Sequence, residues 1–165
     1  HDRGKMIVMI YDSNYIINHI YMRKFIIHTD GGSRGNPGDA AIGVVIKEEG
    51  GLLKKEYGEY IGRGTNNVAE YTAVISSLKK LKQLVGKKVL KDAKVMVNVD
   101  SELLERQMNG QYKIMEPEIQ KLFLELWNLK LDFGDIKFKH VRREKNKGAD
   151  QMVNTALDRE LNKLI

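Results

Sequence analysis

Phe25-Ile26-Ile27-His28-Thr29-Asp30-Gly31-Gly32-Ser33-Arg34-Gly35-Asn36-Pro37-Gly38 is the stretch on which the fold turns. A short apolar run leads into an aspartate, and glycines with one proline follow. The run reads as a buried strand and the Gly/Pro cluster as its turn. Asp30 then stands at a strand end beside backbone without bulk, where a metal ion or a nucleic-acid backbone can approach closely. Asp-Gly also marks ordinary hairpins, so the motif alone leaves both readings open.

On either side the pattern continues. Arg23–Thr29 reads as the first strand, Ala41–Ile46 as the second and Leu52–Ile61 as the third, with Gly50-Gly51 as a hairpin turn. From Asn67 the period changes. Tyr71, Val74, Ile75, Leu78, Leu81 and Val85 recur at helical spacing, and Gly86 with the lysines beyond it ends that helix. Ala93–Val99 alternates as a fourth strand, and Asp100-Ser101 caps a short helix that stops at Asn109-Gly110. Pro117 opens a further helix with Ile119, Leu122, Phe123, Leu126 and Trp127 on its apolar face, so Trp127 is expected in the core. Asp135–Val141 is the fifth strand. A last helix starts near Gly148 with Ala149, Val153, Ala156, Leu157 and Leu161 inward. Three strands at hairpin spacing followed by a helix–strand alternation predict an α/β fold with a mixed sheet. Strand one is central, and the site is expected at the strand ends beside the switch to parallel strands four and five.

The 165 residues suffice for one domain with a real core, and 42% hydrophobic with 30% charged residues is a globular composition. The absence of cysteine excludes disulfides and cysteine-ligated zinc. A net charge of +6 favours a polyanionic partner. The basic residues cluster at Lys79, Lys80, Lys82, Lys87, Lys88 and Lys91 and again at Lys137, Lys139, Arg142, Arg143, Lys145 and Lys147. Either cluster also reads as a solvated face. No apolar stretch is long enough to span a membrane, so no membrane partner and a cytoplasmic location are expected. Met22-Arg23-Lys24 is a natural domain start. Residues 1–21 are read as an extension, an upstream start or a remnant preceding that start, and residues 22–165 as the domain.

Three further acids sit at structural punctuation: Glu70 in the first turn of the long helix, Asp100 at the end of strand four, and Asp150 in the first turn of the last helix. Singly, each also reads as a cap or as an acid favoured by the helix dipole. Together with Asp30 they would repel one another unless divalent cations lay between them, and hard oxygen ligands suit Mg²⁺ or Mn²⁺.

Asp30-Gly-Gly-Ser-Arg-Gly-Asn-Pro-Gly38, Thr65-Asn-Asn-Val-Ala-Glu70, Asp100-Ser101 and His140-Val-Arg-Arg-Glu-Lys-Asn-Lys-Gly-Ala-Asp150 resemble, in order, the motifs of type 1 ribonuclease H. The resemblance covers about residues 22–163. It implies the ribonuclease H-like fold, a five-stranded mixed sheet of strand order 3-2-1-4-5 flanked by helices. It implies hydrolysis of the RNA strand of RNA–DNA hybrids by two metal ions, Mg²⁺ with Mn²⁺ as substitute, leaving 5′-phosphate and 3′-hydroxyl ends. By the same resemblance Asp30 bridges both metals, Asp150 helps hold the metal that activates water, and Glu70 and Asp100 the other. His140 matches a mobile-loop histidine that moves protons or aids product release without binding metal; a lone histidine there also reads as merely exposed.

Discrimination of RNA from DNA needs contacts to the 2′-hydroxyl. The loop Gly31, Gly32, Ser33 is expected to expose backbone groups for it. Asn36, Asn66 and Asn67 resemble residues lying in the hybrid minor groove. Arg63 and Thr65 resemble a pocket for a DNA-strand phosphate, Thr65 also reading as an N-cap. The direct link Asn109–Pro117 lacks the basic, tryptophan-rich protrusion of many bacterial members, which implies the compact subgroup. A monomer is expected, with double-stranded RNA as a further candidate substrate. Another nuclease or strand-transfer enzyme of this fold, or a non-catalytic hybrid-binding module, are the rival readings.

Overall fold

The computed structural model describes residues 22–163. The role assigned to residues 1–21 therefore lies outside the described residues. The strands are β1 Lys24–Gly35, β2 Gly38–Glu48, β3 Lys54–Gly64, β4 Lys94–Val99 and β5 Asp135–His140. The helices are α1 Asn66–Val85, α2 Lys87–Asp92, α3 Glu102–Met108, α4 Pro117–Lys130 and α5 Lys147–Asn162. One five-stranded sheet runs β3-β2-β1-β4-β5, the order expected. β1, β2 and β3 pair antiparallel, whereas β4 pairs parallel with both β1 and β5.

Strand alternation divides the sheet into two faces. Phe25 and Ile27 of β1, Val44 and Ile46 of β2, and Val95, Val97 and Val99 of β4 enter the main core. There they meet Tyr71, Val74, Leu78 and Leu81 of α1 and Leu126 of α4, all buried. On the opposite face Ala41 packs with Val153, Ala156 and Leu157 of α5.

Several expectations are corrected. β1 does not stop at Thr29; it continues as the partner of β2 down to Gly35↔Gly38, and only its pairing with β4 ends at Thr29↔Val99. Asp30 is therefore interior to one ladder and one residue past the end of the other. Gly86, at φ +83°, ends α1, but the lysines after it begin the short helix α2. Glu70 lies beyond the first turn of α1, which holds no acid. Trp127 is 41% and Leu161 53% exposed, so neither is core. Trp127 instead stacks on Phe123 at 5.8 Å and takes the Lys130 ammonium over its ring at 4.1 Å. Residues 109–116 join α3 to α4 without an inserted helix.

Candidate active site

Register brings the first two carboxylates together. Thr29 pairs with Val99 in the last parallel pair, so the next residue on each strand, Asp30 and Asp100, sits at the sheet's rim beside the other. Ser101 caps α3 by accepting a hydrogen bond from the Leu104 N–H at 3.2 Å. The cap is thus made by the serine, which leaves the Asp100 carboxylate free.

Glu70 arrives through a missing side chain. A Cβ on Gly31 would lie 2.2 Å from the Ala69 carbonyl carbon and 2.3 Å from the Glu70 nitrogen. Only glycine lets the start of α1 press onto β1 at this point. Gly31 is consequently buried against α1, not open as expected, while Gly32 and Ser33 are partly exposed. Thr65 caps α1 by accepting from the Val68 N–H at 3.2 Å, one of its two sequence readings.

Asp150 is placed by the same device on the other face. A Cβ on Gly43 would meet the Ala149 carbonyl oxygen at 2.0 Å, and one on Gly58 the Met152 oxygen at 2.1 Å, so α5 lies directly on the backbones of β2 and β3. Its start is tied to β1 by Asn146, 1% exposed, whose Nδ2 donates to the Thr29 carbonyl at 2.8 Å. Sequence reading missed Asn146, whose position before a helix signals only a cap. It makes no side-chain cap bond.

Carboxylate oxygens of Asp30, Glu70 and Asp100 lie within 4.8 Å of one another. Asp150 lines the same cleft of about 520 Å³ with Gly31, Gly32, Ser33 and Asn66. It accepts from Arg143 Nη2 at 3.1 Å and from Asn154 Nδ2 at 3.2 Å. Arg143 had figured only as a member of a basic cluster; here it lines the cleft and bonds one of the acids.

The electrostatics are those of crowded anions. Burial, then Asp100 and Asp150, push the Asp30 carboxyl up to about 7. Burial, then Asp30 and Asp100, raise Glu70 well above the usual carboxylate range. Glu70 Oε2 is buried without a hydrogen-bond partner. A divalent cation would relieve both the repulsion and the orphaned oxygen, and an all-oxygen donor set fits Mg²⁺ or Mn²⁺.

The polar residues form a frame beside the acids. Asn66 Oδ1 accepts from the Ser33 N–H and hydroxyl, both at 2.9 Å, and Asn36 Oδ1 accepts from the Asn66 N–H at 3.2 Å. Asn67 is half-buried next to them. Arg63 is exposed at the end of β3, its Nη2 3.5 Å from the Pro37 carbonyl. His140 is exposed as the last residue of β5, paired with Val99, and stands apart from the residues lining the cleft.

Residues 28–156 match the reverse transcriptase-like family. The bifunctional protein Rv2228c of Mycobacterium tuberculosis (strain H37Rv) is 37% identical over 136 residues, covering 82% of this chain and 36% of that protein. The chain thus spans about a third of the length of the mycobacterial relatives it matches. A ribonuclease H of Clostridium botulinum is 31% identical over 149 residues, covering 83% of this chain and 97% of the relative. The crystal structure of LC11-RNase H1 in complex with RNA/DNA hybrid is similar at a TM-score of 0.78 and 48% identity, covering 83% of this chain and 99% of that one.

Proposed function

The chain belongs to the type 1 ribonuclease H family, and from that membership we propose that it is an endoribonuclease cutting the RNA strand of RNA–DNA hybrids with two bound divalent cations, leaving 5′-phosphate and 3′-hydroxyl ends. The observation that carries this reading is the convergence of Asp30, Glu70 and Asp100 within 4.8 Å, with Asp150 on the same cleft.

Asp30 and Asp150 would hold one cation, and Asp30, Glu70 and Asp100 the other. Bound there, the cations supply an acidified water and neutralise charge on the scissile phosphate and leaving oxygen. The chain's own residues do the rest. The buried rim excludes bulk water from Glu70 and Asp30, which strengthens every charge interaction in the cleft. Arg143, paired with Asp150, steadies that carboxylate on its helix. His140, exposed and free of the acids, is a proton carrier for the departing product rather than a ligand.

Ser33, Asn36 and Asn66 hold one another in a fixed frame, so that their remaining donors and acceptors meet the sugar edges of a hybrid groove. Gly32, partly exposed, leaves room for the RNA sugar, whereas Gly31 acts by packing. Arg63 offers a fork to a DNA phosphate. Such contacts read backbone and shape, so little base preference is expected.

Purified protein incubated with labelled hybrid, duplex RNA and duplex DNA, each with Mg²⁺ or Mn²⁺, tests the reading. Cleavage of the hybrid's RNA strand, abolished in Asp30→Asn, is the expected result. An intact hybrid with wild type, or equal cutting of duplex DNA, would end it. The duplex RNA arm decides whether that substrate is also cut.

A further inference from the structure

The sheet face that carries Asp30 is only partly covered. α5 lies over β2 and β3, while α1 and α4 pack on the other face. Across the uncovered part the register defines three rows. Lys24, Lys94 and Asp135 form the lowest, Lys47, Ile26, Met96 and Lys137 the middle, and His28, Asn98 and Lys139 the upper. The next row is Asp30 and Asp100.

These rows make a trough. Its floor is half-buried Ile26, Met96 and His28 with buried Asn98, and its walls are exposed Lys47 on one side and exposed Lys137 and Lys139 on the other. Its lower part, between Lys24 and Lys94 at one end and Asn98 and Lys139 at the other, is a groove of about 480 Å³. Strand spacing makes it about 14 Å wide, and the rise per residue carries it about 20 Å from Lys24 to Asp30. Among the described residues, Lys47, Lys94, Lys137 and Lys139 make no ion pair. Lys24 has only a distant partner, Glu49 at 3.9 Å. The two acids of the lining, Glu49 and Asp135, sit at the end far from the carboxylates.

We propose that this lysine-walled trough binds a single-stranded segment of the substrate's RNA where it leaves the hybrid, and so leads that strand to the acidic rim. Charge complementarity selects a polyanion. The partly apolar floor selects a single strand, because only unpaired bases can turn inward onto it while phosphates reach the lysines. A duplex would offer phosphates alone. The trough rests on the hybrid-nuclease reading for its physiological strand, yet its binding is measurable without any cleavage.

The test uses the full chain in EDTA with a labelled single-stranded oligoribonucleotide followed by fluorescence anisotropy. Lys137→Glu/Lys139→Glu is expected to weaken binding by about tenfold or more and to flatten the salt slope by roughly 1.4, the share of two phosphate contacts. Lys137→Gln/Lys139→Gln removes charge without reversing it and should act in the same direction. Met96→Asp, on the floor, should also weaken binding. With Mg²⁺ present, blunt hybrid should be cut as by wild type, while a hybrid with a single-stranded RNA tail loses its binding advantage.

Unchanged single-strand affinity in the lysine variants would overturn the proposal. So would an equal loss for blunt hybrid or duplex DNA, which would assign the face to general duplex attraction. If wild type cuts no hybrid but binds single strands through these lysines, the nuclease reading fails and the trough stands.

Discussion

Asp30 concentrates the chemistry because it is buried among like charges. Its carboxyl is pushed up to about 7 by burial, Asp100 and Asp150, against the ordinary 3.8. Without metal, the unfolded chain releases this proton near pH 4 while the folded chain keeps it until about pH 7. The contribution of this carboxyl to folding stability is therefore fullest below about pH 4 and is lost as pH rises through that window. Denaturant unfolding in EDTA at pH 4.5 and pH 7.5 should show the loss, and Asp30→Asn should reduce the slope, with buried Glu70 supplying what remains. Asn146 is the second residue of consequence. Its one donor joins the strand of Asp30 to the helix of Asp150. Asn146→Asp keeps the size and loses the donor. It should raise the Mg²⁺ concentration for half-maximal activity by about 10–100-fold, the usual cost of a lost outer-shell partner. A metal titration that leaves this midpoint unmoved would rule the role out.

Helix placement depends on glycines more than on apolar stripes. The stripe of α1 fixes which side faces the sheet, but Gly31 decides how close it comes. Gly31→Ala should force α1 off β1, destabilise the protein by roughly 1–3 kcal/mol and sharply reduce turnover. Gly32→Ala, whose added Cβ would stand 3.4 Å from a Val153 methyl, should cost much less. Chemical denaturation of the two variants makes the comparison. α4 shows the converse, a stripe that misleads. Trp127 follows the helical spacing of Ile119 and Leu126 yet lies exposed on the outer edge, with Phe123 stacked beside it and Lys130 over its ring. As the chain's one tryptophan, it should give red-shifted fluorescence readily quenched by iodide.

At the scale of the whole molecule, the carboxylate rim opposes folding until cations fill it, and the main core offsets that cost. Leu78, fully buried beneath the sheet, should lose about 2–5 kcal/mol on truncation to alanine. Mg²⁺ at about 100 times its Kd should return about 2.7 kcal/mol to wild type and much less to Asp30→Asn, a difference that thermal unfolding with and without EDTA can read. The elements, the mixed sheet and the central first strand were legible in the chain because hydrophobic period and turn residues are local signals, whereas the full strand order and the joint role of the four acids were implied by the resemblance of the ordered motifs to type 1 ribonuclease H. The capping threonine was legible as well, since Thr65 precedes the change of period. Gly31 as a packing glycine, Asn146 as a tie and Arg143 as partner of Asp150 were not legible, because each acts on residues distant in sequence. The sequence by itself determined the elements and the sheet class, through periodicity, and the identity of the anions, through ordered motifs that resemble a known family. Only the tertiary structure decided that Thr29 and Val99 close the parallel ladder, that two helices rest directly on glycine backbone, and that the lysines of four strands flank one trough, because register and close approach exist only once distant segments meet.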